Sequence, residues 1–136
     1  MTPQEAVSGL AGDDDPDPYM AEIQRMLREG EESAVFFRTI QDPKVDAGVR
    51  GLVLEAVSGA RAKNFDIQVS DIIRQAFRDE NEDLRFAAVA SASDLPLAKR
   101  QELVEDMRLL RAGDPCPHVR RAAQAFLSVL DNGIIP

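Results

Sequence analysis

The sequence predicts an all-helical domain assembled from about three helical hairpins. Three observations carry that expectation. Apolar residues recur every three or four positions through most of the chain, no stretch sustains an alternation of period two, and the chain matches itself at a shift of 35 residues. With 136 residues, 44% of them apolar, there is material for one core and too little for two.

Residues 1 to about 18 hold Gly12, Asp13, Asp14, Asp15, Pro16, Asp17 and Pro18, and are read as a flexible acidic tail with too little apolar content to offset the entropy of ordering. A single domain is expected over 19–136. Met20, Ile23, Met26 and Leu27 fall at helical spacing until Gly30 stops the run. The next helix, about 31 to 41, carries Val35, Phe36, Thr39 and Ile40 and ends at Asp42-Pro43. Further helices are expected at about 44–59, 66–78, 81–93, 96–112 and 116–131. Pro96 is expected to open the first turn of its helix, and Gly113 and Asn132-Gly133 to close the last two.

At the shift of 35 residues Arg50, Arg85 and Arg120 superpose, each preceded by an apolar residue: Val49, Leu84 and Val119. Downstream, Val53, Ala88 and Ala123 coincide, then Val57, Ala92 and Leu127, then Ala60, Leu95 and Leu130. These steps trace one buried stripe on each of three helices, the signature of stacked hairpins. Asp79 lies six residues before Arg85, and Asp114 six before Arg120.

Here the chain resembles the HEAT repeat family and its HEAT-like relatives among the phycobilisome lyases. In that pattern an Asp at the inter-helix turn, followed by an apolar residue and Arg, forms a hydrogen-bonding ladder between neighbouring repeats. Asp79, Leu84 and Arg85 match it, as do Asp114, Val119 and Arg120. The first unit departs, having Lys44 at the ladder position and Asp42 eight residues before Arg50. The resemblance covers about residues 31 to 131. It implies a short right-handed α-solenoid of about three HEAT-like hairpins plus an N-terminal helix; the competing architecture is a non-repetitive bundle.

If the second helix of each hairpin lines one face, as the resemblance implies, the stripe from Val49 to Ala60 is buried and the outward positions form the binding surface. Those positions are Gly51, Leu54, Glu55 and Ser58, then Phe86, Val89, Ala90 and Ser93, then Arg121, Gln124, Ala125 and Ser128. Leu54, Phe86 and Val89 are apolar where a solvated face is normally charged. They are expected to form a protein-binding patch flanked by Arg121 and Gln124. The alternative is that the first helix, or Ile134-Ile135, folds over them.

A net charge of −8 opposes the phosphate contacts of a nucleic-acid binder and attraction to an anionic membrane. The longest apolar runs are broken by charge well short of the ~20 residues that span a bilayer. One cysteine, Cys116, leaves no internal disulfide, and the first thirty residues lack a signal core, so a cytoplasmic protein is expected. Cys116 and His118 are too few for a zinc site, and one histidine leaves little acid–base chemistry. The aspartates of 13–17 lack the glycine and distal glutamate of a calcium loop. No catalytic residue, metal or cofactor is therefore assigned. The leading expectation is an adaptor or scaffold binding another protein, with self-association left open by the exposed end faces. The alternative is an acidic inhibitor or immunity-type protein that blocks a basic partner such as a nuclease. The resemblance also reaches enzymes that excise alkylated bases or attach bilins, for which no residue set is visible here.

Overall fold

A computed structural model describes residues 1–12, 14–30, 34–60 and 66–131, and the side chains of all of these except 66, 67 and 131. Among the described residues there are nine α-helices and no strand, so the all-helical expectation holds.

The chain begins with α1 (Pro3–Leu10), where a flexible tail was expected. Thr2 Oγ accepts the Glu5 amide at 3.1 Å while the Glu5 carboxylate accepts the Thr2 amide at 3.0 Å, a reciprocal cap with Pro3 in the first turn. Ala6 and Leu10, four residues apart, are buried. The acidic composition further on masked this short signal. Helix α2 (Asp17–Arg28) follows at once, so Asp17 and Pro18 are also helical. The two helices meet closely: a Cβ on Gly9 would lie 2.2 Å from a ring carbon of Tyr19. Ile23, Met26 and Leu27 are buried, and Gly30 ends the element at φ +80°, a left-handed conformation that favours glycine. Asp13 and Ile134-Ile135 lie outside the described residues.

Helix α3 (Ala34–Gln41) buries Phe36 and Ile40. Asp46 then caps α4 (Ala47–Gly59), accepting the amides of Gly48 at 3.0 Å and Val49 at 3.4 Å. Helix α5 (Asp66–Ala76) precedes α6 (Glu82–Ala92), whose cap is Asn81, bonded to the Asp83 amide at 2.8 Å. The helix expected over 96–112 is two: α7 (Leu97–Glu102), with Pro96 as its cap residue, and α8 (Val104–Gly113). At the break Leu103 is fully buried, and the Glu102 carbonyl accepts a hydrogen bond from Arg74 of α5 at 3.1 Å. The final helix is α9 (Pro117–Asp131).

The helices pack as pairs, α1 with α2, α3 with α4, α5 with α6 and α8 with α9, while α2, α4, α6 and α9 also pack each on the next. On the other members of the pairs, α1 touches α3 and α3 touches α5. Small residues set the spacing of α4 and α6, since a Cβ on Gly51 would sit 3.1 Å from that of Ala87. The aligned stripe is buried as expected: Val49, Leu84 and Val119; Val53, Ala88 and Ala123; Val57, Ala92 and Leu127. Only Leu130, at the end of the third stripe, is half-buried. Among the described residues no helix is long and apolar enough to cross a membrane.

Candidate functional site

Arg50, Arg85 and Arg120 each stand in the first turn of α4, α6 and α9, where the preceding turn comes within reach. Arg50 donates from Nε to the Ile40 carbonyl at 2.7 Å and from Nη2 to Asp79 Oδ1 at 2.9 Å. Arg85 holds Asp114 with two bonds, 2.8 Å from Nε and 3.2 Å from Nη2, and Nη1 donates to the carbonyls of Asp79 and Glu80 at 2.9 and 3.0 Å. Arg120 Nη1 donates to the Asp114 carbonyl at 2.6 Å.

Each carboxylate therefore pairs with the arginine of the preceding unit, and the arginine six residues on takes the turn carbonyl. Every turn aspartate also accepts the amide two residues ahead: Asp42 from Lys44 at 2.9 Å, Asp79 from Asn81 at 2.9 Å and Asp114 from Cys116 at 2.8 Å. The first unit keeps this turn but is two residues longer, so Arg50 reaches Ile40 instead of Asp42.

Electrostatics follow from the geometry. Burial alone would push the Asp79 carboxyl up, but the hydrogen bond from Arg50, the Asn81 amide and the charges of Arg50 and Arg85 together hold it below the usual carboxylate range. The hydrogen bonds that Arg85 donates to Asp114 hold its pKa above the ordinary arginine value, against the opposing effect of burial. Glu55 on α4 behaves oppositely to Asp79: burial, then the nearby Asp94 carboxylate, push it up.

The outward patch is only partly where the sequence puts it. Phe86 is 45% exposed, but Leu54 and Val89 are 0% and 2% exposed and belong to the core. Leu54 sits on α4, which receives α1 and α2 on one side and α6 on another, and Val89 sits on α6, packed by α4, α5 and α9. These two positions flanking the buried stripe are thus covered by neighbouring helices and not by solvent. Arg121 is exposed with Nη2 2.9 Å from His118 Nδ1, and Gln124 bonds Ser128 Oγ at 2.9 Å and Arg111 at 3.4 Å. Those two side chains are engaged along their own helix and with α8, not with Phe86.

What Phe86 does border is an apolar groove of about 430 Å³ between α6 and α9. Ala90 and Ser93 continue its α6 side, and Ala122, Ala125 and Val129 its α9 side. Small side chains between larger ones leave the trough open. Arg100 of α7 also lines it, only 7% exposed. Its Nε is buried with no hydrogen-bond partner, and among the described residues its side chain makes no ion pair. Sequence reasoning missed Arg100, because Lys99-Arg100 on a short polar helix reads as a solvated pair. Cys116 is buried and His118 exposed, and among the described residues no three His, Cys, Asp or Glu side chains gather as a metal site.

No protein-family model matches the chain, and no curated protein or solved structure matches it either.

Proposed function

We propose that the chain is a non-catalytic protein-interaction module, an adaptor or scaffold, built as a short right-handed α-solenoid of HEAT-like hairpins. The recurring arginine–aspartate pairs, the three turns of one design and the shared buried stripe on α4, α6 and α9 support the solenoid reading. Phe86 supports the binding role. Among the described residues it is one of three large apolar side chains left exposed, with Met1 and Leu109, and it lines the groove between α6 and α9.

The docking face accordingly centres on Phe86, Ala90 and Ala125, with the buried Val89 also lining the groove. Affinity capture from native lysate with the wild type and Phe86→Asp tests this. The variant is expected to lose the captured protein with an unchanged helical circular-dichroism spectrum. Equal capture by both would remove the groove from the interaction. Raising the salt concentration should change capture little, because an apolar trough supplies the contact; steep loss with salt would favour the acidic-inhibitor reading instead.

A further inference from the structure

The groove between α6 and α9 combines two features that ordinarily exclude one another. Its walls are alanine, valine and phenylalanine, yet a guanidinium with no acceptor is set into them. Arginine stays charged under all ordinary conditions, and a buried N–H of that charge without an acceptor is unfavourable. The other arginines near the helix starts are satisfied: Arg50 and Arg85 each hold a carboxylate, and Arg120 a carbonyl. Arg74 likewise pairs with Asp106 and with the Glu102 carbonyl. Arg100 alone among these five has no acceptor among the described residues.

We propose that this groove is a binding site for a small amphiphilic carboxylate, an alkyl chain ending in one carboxylate, with Arg100 as the anion-holding residue. A planar carboxylate accepts two parallel bonds from the fork of a guanidinium, and among the described residues Arg100 has no protein acceptor to compete for them. The apolar body lies along Ala90, Ala122, Ala125 and Val129 under the edge of Phe86. A volume of about 430 Å³ falls in the range of ~300–1,000 Å³ found for small-ligand sites lined by apolar residues with a few placed polar groups.

The net charge of −8 repels an anion at long range, which argues against a small hydrophilic one such as acetate or phosphate. Burial of the alkyl body is what offsets that repulsion. The proposal needs no partner protein and stands independently of the docking reading, although both use the same trough.

Isothermal titration with dodecanoate, octanoate and dodecanol, each below its aggregation concentration, tests it. Dodecanoate should bind with one-to-one stoichiometry. Shortening the chain should weaken binding by about four-fold per CH2, the equivalent of ~0.8 kcal/mol. Dodecanol should bind at least about ten-fold more weakly, as expected for loss of a charge-assisted pair. Arg100→Gln should erase the preference for the carboxylate while keeping residual affinity for the alcohol. Ala125→Phe, which fills the trough and leaves the Arg100 side chain in place, should abolish both. If Arg100→Gln does not fold, the comparison of the two wild-type ligands and Ala125→Phe still decides the matter. No binding of dodecanoate, equal binding of acid and alcohol, or binding indifferent to Ala125→Phe would overturn the proposal. Protein capture that depends on Phe86 in the absence of any dodecanoate binding would leave the docking reading in place and sink this one.

Discussion

Asp114 joins the Arg85 side chain of the preceding unit to the turn that opens α9. Its side chain is 2% exposed, it takes two bonds from Arg85 and it holds the Cys116 amide. Asp114→Ala leaves Arg85 buried without its counter-ion and is expected to cost about 3–5 kcal/mol in urea unfolding. Asp79 is more exposed, so Asp79→Ala should cost less. Its pKa is depressed in the folded state, so its contribution is present above the unfolded carboxyl value of about 3.9 and is lost as pH falls through the lower folded value. Glu55 has the opposite sign. Raised above its unfolded value of about 4.3, it favours the folded state when protonated and subtracts stability as pH rises through the folded value. Glu55→Gln should therefore raise the melting temperature at pH 7 and have little effect below pH 4. The arginines were legible as a spaced series in the sequence. Spacing alone did not give their partners, because it ranks first the aspartate six residues before Arg85 and Arg120; the expectation of a ladder between neighbouring repeats came from the family resemblance, and stacking brings the aspartate 29 residues after Arg50 and Arg85 into bonding range.

At the scale of elements, helices were legible wherever an apolar stripe ran for three turns or more. The stripe on α4, α6 and α9 lay where periodicity put it, since one buried face repeats at 3.6 residues whatever covers it. Which flanking positions stay exposed depends on lateral neighbours, and these a single helix does not encode. That is why Leu54 and Val89 read as surface and are core. Helix α1 escaped notice because it spans two turns and its evidence is a cap, Thr2 with Glu5, and not a stripe. Its attachment to α2 rests on Gly9 lying against the Tyr19 ring. Gly9→Ala should force the ring aside and lower stability by about 1–3 kcal/mol, the usual range for overpacking, with limited proteolysis reporting early release of the first helix. Gly51→Val, crowding Ala87 across the α4–α6 contact, should fall in the same range.

For the whole molecule, the N-terminal pair is a structural member. Ala6, Leu10, Ile23, Met26 and Leu27 are all part of the common core, and α1 and α2 both pack on α4. Burying each larger apolar side chain contributes about 1.5–3 kcal/mol, and a domain of this size has a net stability of only about 5–15 kcal/mol. Deleting residues 1–30 should therefore abolish cooperative thermal unfolding and drive self-association, both visible by calorimetry and size-exclusion chromatography. A truncated chain that melted cooperatively as a monomer would show that the remaining helices close their core unaided.

The arginine–aspartate series also has a direction. Each carboxylate satisfies the guanidinium behind it, so the units are joined head to tail, like links that engage only one way round. Arg120 holds a carbonyl of its own turn but has no carboxylate ahead of it among the described residues. If the proposed solenoid holds, an engineered chain that inserts a copy of residues 79–113 in phase with the existing turns should gain one more such link, and with it one more stacked helical hairpin.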